Sequence, residues 1–244
     1  MDKKKFESLL FYLIFMKAVS ETLKCTYNIN LEQLKVLNEI IKYVQKQNCG
    51  IYIEDLISLC PISKRRMRHH LEHLYHMGWI EKLRDDKDQR KVLHSPSKLY
   101  HEKLDILFQE IEEVLKLEYL RYDMNFNHLM ELSYVIVLYN ALNHVKRVAK
   151  QFDLNLDELI ILGKIFTQTK VVSLKSMHAI SQHYLICINS VINDLHQKGY
   201  IHKYRNPNDE RLVNIKLIES RALETKSIFV QCYNKLEAEM KRNQ

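Results

Sequence analysis

Four cations crowd one short stretch of the chain: Lys64, Arg65, Arg66 and Arg68, with His69 beside them and no acid between Lys64 and His70. A second group follows at Arg84, Lys87, Arg90 and Lys91, and a third lies far downstream at Lys203, Arg205 and Arg211. Side chains of this kind, clustered this way, bind anions. At the start of a helix they add to the helix dipole's own preference for negative charge. In a DNA major groove they reach guanine O6 and N7. Cations on a turn tip suit the minor groove, which is narrower and more negative in A·T-rich DNA. No Gly-rich phosphate loop, no GxSxG and no paired carboxylates stand out, so neither an enzyme nor a cofactor is expected.

A helix must present the first group. With successive residues about 100° apart, Met67, Leu71 and Leu74 fall on one side of a helix over Ser63–Met77. Arg65, Arg68, His69, Glu72 and His76 fall on the other, away from a core. Gly78 stops this helix in the manner of a left-handed terminating residue. Two short strands and a charged turn come next, so the second group sits on a hairpin. Asp88 and Asp209 are the awkward residues on such a surface. Their expected role is local, capping turn amides or orienting the neighbouring Arg.

The phrase LEHLYHMGWIEKLRDDKDQRKV (71–92) returns as INDLHQKGYIHKYRNPNDERLV (192–213), a fixed offset of 121. Gly78 matches Gly199, Trp79-Ile80 matches Tyr200-Ile201, and Lys82, Arg84, Asp88 and Arg90 match Lys203, Arg205, Asp209 and Arg211. Upstream, 27–34 parallels 152–159 at an offset of 125, so the first copy carries four extra residues, placed near Gln45–Gly50. The chain therefore divides into two copies, 1–124 and 125–244. Each reads in one order. First helices are expected over Lys5–Thr26 and Glu131–Gln151, and second helices capped by Asn30 and Asn155. Short β-prone pieces follow at Ile51–Ile53 and Val171–Leu174, then third helices over Glu54–Leu59 and Leu174–Ile180. Fourth helices are expected over Ser63–Met77 and Tyr184–Lys198, then a hairpin, then long last helices over Ser97–Tyr122 and Glu219–Arg242. Apolar residues at helical spacing in the last helices need a partner, and the first helices of both copies are the expected one.

Bulk properties agree. Only 4 Gly and 3 Pro in 244 residues argue for a mainly helical chain with small hairpins, and a net charge of +7 favours polyanions. Five scattered Cys without a CxxC spacing fit a reducing compartment. LLFYLIFMKAVS after three lysines resembles a signal peptide, but Glu7 and Lys17 interrupt it and a similar stretch recurs at Leu132–Leu142. Both read as core helices of a cytoplasmic protein, with no membrane partner.

Helix, helix-turn-helix, hairpin, helix is a winged helix-turn-helix order. LxxLxxxG[WY]I followed by a charged turn with Asp209-Glu210-Arg211 resembles the MarR-like winged-helix regulators, and within them the staphylococcal accessory regulator (Sar) branch. The first copy departs slightly, with Asp88-Gln89-Arg90. The resemblance spans essentially the whole chain, since that branch includes doubled members folded as a single-chain version of the usual dimer. It implies two tandem winged helix-turn-helix domains related by pseudo-two-fold symmetry. It also implies binding of double-stranded promoter DNA with an A·T-rich preference, and activation or repression of virulence and surface-protein genes. It assigns Arg90 and Arg211 to the minor groove, and less directly Arg84 and Arg205. Two linked copies would reach successive major grooves about 34–36 Å apart without the entropic cost of associating two chains.

The copies differ where the chemistry is. Ile186-Cys187-Ile188-Asn189-Ser190 aligns with Arg65–His69, leaving Gln182, His183, Tyr184, Asn189 and Ser190 to touch DNA in the second copy. The first copy is then expected to supply most salt-sensitive affinity, on an asymmetric target. Other readings remain open. His69, His73 and His76 share a face at metal-ligand spacing, but only Glu72 is near to complete a set, so no metal is expected. Cys25 or Cys187 offers a redox switch against the simpler reading of an inert thiol. The main alternative function is a regulatory protein-binding module, with other transcription regulators as partners and weak DNA binding. Further dimerisation and any small-molecule effector are left open.

Overall fold

A computed structural model describes residues 3–86, 88–122, 131–168, 171–181, 186–207 and 209–242. The architecture is mainly α with small antiparallel hairpins, and the element order is the same twice. The first pass runs α1 (Lys3–Cys25), α2 (Leu31–Gln47), α3 (Ile53–Leu59), α4 (Lys64–His76), β1 (Ile80–Arg84), β2 (Val92–Pro96) and α5 (Tyr100–Tyr122). The second runs α6 (Leu132–Gln151), α7 (Leu156–Phe166), β3 (Val172–Ser173), α8 (Leu174–Ser181), α9 (Ile188–Gln197), β4 (Ile201–Asn206), β5 (Asp209–Leu217), a 3-10 turn (Glu219–Arg221) and α10 (Ala222–Arg242). No described helix is long and apolar enough to cross a membrane.

Local chemistry explains the boundaries. Asn30 and Asn155 each accept a bond from the third helical amide, and Gln33 and Glu158 each accept one from the cap amide in return. Both α2 and α7 thus start with a reciprocal capping box. Helices α4 and α9 end alike. Gly78 (φ 66°) and Gly199 (φ 70°) take the left-handed conformation that a side chain would resist. The amide of Gly78 bonds the Tyr75 carbonyl and that of Trp79 the Leu74 carbonyl; Gly199 and Tyr200 do the same to His196 and Leu195. Trp79 and Tyr200, now buried, open the hairpins. Trp79 lies against Tyr27, with ring centroids 5.6 Å apart, and the Tyr200 hydroxyl donates to the Phe152 carbonyl at 3.1 Å.

The β-prone pieces also pair in register with the repeat. Ile51 bridges His94, and Val172 pairs with Ile215. In the second copy that pairing makes a three-stranded sheet of order β3-β5-β4. Strands β1 and β2 pair out to Arg84 and Val92, whereas the second hairpin stays paired out to Asn206 and Asp209 past an irregularity.

Three expected helix starts shift. Helix α9 begins at Ile188, and the expected start at position 184 lies outside the described residues. In the first copy Ser63 caps α4 by accepting from the Arg66 amide. Position 184 carries Tyr, which has no such short oxygen, and Cys187 precedes α9 without a side-chain cap bond. The last helices begin at Tyr100 and Ala222, later than expected, because the amides of Ser97 and Ile218 still bond the carbonyls of Trp79 and Tyr200.

Packing forms two compact units, one built on residues 19–113, the other on 3–18 and 137–242. In the first, Leu34, Leu37 and Ile40 of α2 join Met67, Leu71 and Leu74 of α4 in a buried core. In the second, the start of α1 packs with α7 and α10. Phe6 sits 5.4 Å from Phe166 and 4.5 Å from Phe229, between ring centroids. Gly163 allows this approach, since a Cβ there would lie 2.4 Å from Leu10 Cδ2 and 3.1 Å from Phe229 Cζ. Lys17 also holds Asp157 at 3.1 Å.

One charge pair sets the second unit apart. The Glu158 carboxylate is buried and takes the Lys198 ammonium at 2.7 Å. The first copy has Gln33 and Met77 at these two places. Removing one partner from a buried pair costs far more than removing both. Lys198→Met is therefore expected to lower unfolding free energy by about 3 kcal/mol, and adding Glu158→Gln to recover most of that loss. Urea denaturation of the two variants measures both.

Candidate nucleic-acid interface

The side chains projecting from α4 are exposed from Ser63 to Arg66 and again at Arg68 and His69, while Met67 and His70 turn inward. Ridge and core are thus separated as the helical angles require. The four cations are not equivalent. Lys64 Nζ donates to Glu54 Oε1 of α3 at 3.0 Å, and that bond holds the Glu54 carboxyl below its ordinary value. Arg66 is tied through Nη2 to Glu32 of α2. Arg65 and Arg68 take part in no ion pair among the described residues, which leaves them the most available of the four. Arg68 shares a cleft between α4 and the hairpin with Arg90, Lys91, Glu72 and Lys82.

In the hairpin, Asp88 Oδ1 accepts from the Arg90 amide at 3.1 Å, and Asp209 Oδ1 from the Arg211 amide at 3.0 Å. Each carboxylate thus closes its own turn two residues on and fixes the backbone that carries the Arg. Arg84 turns back instead, with Nη1 on the Gln89 carbonyl at 3.1 Å. Lys91 lies over the Tyr52 ring, and the Tyr52 hydroxyl bonds Asp85. That hydrogen bond first, and burial second, push the Tyr52 hydroxyl up to about 12.

The second copy presents different chemistry. Asn189 and Ser190 lie exposed in the first turn of α9, with Ser190 Oγ 3.5 Å from Asp194 Oδ2. A smaller cleft between α9 and its hairpin is lined by Asn189, Asn193, Lys203 and Arg205. Lys203 donates to Asn193 Oδ1 at 2.6 Å. Arg205 and Arg211 are exposed on the hairpin. Lys87, Gln182, His183 and Tyr184 lie outside the described residues.

Of the histidines, His69 and His76 are exposed. His73 Nε2 meets the Asn28 carbonyl, which ties it to the scaffold. His70 was not singled out by sequence, nor was His94. Both are buried and occur only in the first copy; the second has Val191 and Ile215 there. Among the described residues neither ring nitrogen of His70 finds a hydrogen bond, and the ring lies 3.6 Å from Glu32. Burial first, with Arg66, His69 and His73 adding to it against the pull of Glu32, lowers its affinity for a proton. Burial likewise lowers that of His94.

A pH dependence follows. In the unfolded chain these imidazoles titrate near about pH 6.5, and in the folded chain lower. The unfolded state then binds more protons in between, so stability is full above that value and falls as pH drops through the folded ones. Denaturation midpoints at pH 7.5 and 5.5 are expected to fall on acidification. The double variant His70→Val, His94→Ile, which installs the second copy's residues, should flatten that fall.

The family model described as transcriptional regulator SarA/Rot matches residues 18–111 and, a second time, 143–227. SarU of Staphylococcus aureus, named an HTH-type transcriptional regulator, is 23% identical over 231 residues, covering 92% of this chain and 90% of its own. SarX of the same species, named likewise, is 24% identical over 119 residues, which are 48% of this chain and 100% of its own. Among solved structures, a MepR variant from S. aureus bound to an oligodeoxyribonucleotide matches at 16% identity with a TM-score of 0.38, covering 47% of this chain and 80% of its own.

Proposed function

Because the chain belongs to the SarA/Rot family of transcriptional regulators, we propose that it reads A·T-rich promoter DNA as a single-chain pseudo-dimer, the copies 1–124 and 125–244 each engaging one half-site. On this reading it works in the cytoplasm and controls genes of virulence or surface proteins. The observation that carries the proposal is the shared cleft of the first copy, where Arg68 of the helix and Arg90 and Lys91 of the hairpin converge. A helix that opens on cations fits a major groove, and a turn Arg beside it fits the adjacent minor groove.

Within this reading the roles divide. Arg65 and Arg68 touch the duplex in the first copy, with Lys64, Arg66 and His69 flanking them. Asn189 and Ser190 take the corresponding place in the second, together with Gln182 and Tyr184. Arg84, Lys87, Arg90, Lys91, Lys203, Arg205 and Arg211 form the hairpin's share of the interface, and Asp88 and Asp209 orient them. The site is asymmetric, and the first copy supplies most of the salt-sensitive affinity.

A second reading draws support from α9, whose first turn has no cation and where a carboxylate, the half-buried Asp194, stands beside Ser190. There the second copy docks another regulator, and DNA binding is weak. Gel shifts on A·T-rich promoter fragments with competitor DNA separate the two. Every cation that neutralises a phosphate steepens the fall of log affinity with log salt by about 0.9. Replacing both Arg65 and Arg68 by Ala is expected to make that slope shallower by nearly two, and Asn189→Ala with Ser190→Ala to leave it unchanged. No retained wild-type complex at moderate salt favours the docking reading.

A further inference from the structure

We infer that the position held by Glu72 in the first copy and Asn193 in the second reads the two half-sites with opposite hydrogen-bond polarity, each side chain being set by a lysine on the first hairpin strand. The inference rests on the DNA-binding reading above and names the residues that give it specificity.

Glu72 and Asn193 are 121 residues apart, the offset of the repeat, and occupy the same place on α4 and α9. Each is exposed, one turn beyond Arg68 or Asn189, on the side opposite the buried Leu and Ile residues. Each lines the cleft between its helix and its hairpin. Each also meets the lysine ten residues on. Lys82 Nζ donates to both Glu72 oxygens at 2.7 Å, and Lys203 Nζ donates to Asn193 Oδ1 at 2.6 Å.

What these bonds leave free is opposite in kind. An ammonium only donates, so in the amide it must be the oxygen that Lys203 holds, and the NH2 group turns outward. Asn193 therefore offers donors, which suit guanine O6 and N7 or thymine O4. A carboxylate only accepts. Glu72 therefore suits the exocyclic amines, cytosine N4 and adenine N6. A bare carboxylate would be repelled by phosphates. Lys82 cancels that charge and is itself held over the Tyr75 ring at 4.4 Å. The bond to Lys82 also keeps the Glu72 carboxyl below its ordinary value, so the acceptor form persists. As an exposed pair it adds little stability, and its effect lies in recognition. Lys203, one of the cations assigned to the hairpin's share of the interface above, becomes on this account a positioning residue for Asn193.

The test is selection from a randomised duplex library by the full chain and its variants. Asn193→Glu should invert the preference at one base pair of one half-site, from a groove acceptor to a groove amine, by roughly ten- to hundredfold. Asn193→Ala should erase it there. Glu72→Gln should relax the preference at one base pair of the other half-site only. Lys203→Met should loosen the base read by Asn193 while the salt slope stays unchanged, and Lys203→Arg should restore it. Profiles that superpose on the wild type for Asn193→Glu and Asn193→Ala overturn the inference. So does a Lys203→Met variant that keeps every preference while its salt slope becomes shallower by about one, the mark of a phosphate-bound cation. If the wild type selects no sequence at all, the DNA-binding reading falls, and this inference with it.

Discussion

The rest of each copy depends on how the fourth helix ends. A single left-handed residue, Gly78 or Gly199, reverses the chain so that the next residue, Trp79 or Tyr200, plunges into the core. Two backbone bonds close each reversal and use up carbonyls that the helix end would otherwise leave unpaired. The hairpin then leaves at a fixed angle to the helix. In the first copy Lys103 reinforces the junction. Its ammonium bonds the carbonyls of Met77 and Gly78 at 2.7 and 3.0 Å and lies over the Trp79 ring. Cations from two elements meet in one cleft only because this turn leaves them no freedom to diverge.

Around that constant scaffold the copies are free to differ, and they differ both on the surface and at some buried polar positions. The caps, the glycine, the buried aromatic residue and the β pairing of Ile51 or Val172 appear in both. Polar interior choices are less fixed. Gln33 and Met77 become a buried ion pair in the second copy, and His70 and His94 become Val191 and Ile215. The ion pair satisfies the carboxylate it buries, whereas His70 leaves both ring nitrogens without a hydrogen bond among the described residues. The carboxylate at the start of the second helix shows the same freedom. Glu32 holds Arg66, whereas Asp157, its counterpart, holds Lys17.

Much of this was legible in the chain itself, because it is local. A Gly after a Leu-rich helix, an Asn with Gln or Glu three residues on, and an apolar stripe each follow from interactions a few residues apart. The start of α9 was not legible, since no side-chain cap marks it: Cys187 precedes the helix without such a bond. The last helices were expected to pack on the first, and Phe6 of α1 meets Phe229 of α10; its contact with Phe166 of α7 was not foreseen. Counting cations overestimated how many are available. Lys64, Arg66, Arg84 and Lys203 are engaged by Glu54, Glu32, the Gln89 carbonyl and Asn193, partners that helical angles cannot reveal. The angles gave the correct face; the tertiary fold decided which charges on it stay available.

Doubling the unit within one chain changes what selection of residues is possible. Two identical chains must present identical helices, so a useful change at one half-site is imposed on the other. Here Arg68 corresponds to Asn189 in the repeat, and Glu72 to Asn193, so the two positions can change separately. A phosphate-binding cation adds affinity for every sequence, whereas a positioned amide adds it for few. On the proposed reading, the first sits on one copy and the second on the other, which would separate tight binding from choice of sequence. It would do so at no cost in association entropy, because the second copy arrives tethered to the first. The backbone geometry that both copies retain is what allows their surfaces to part in this way.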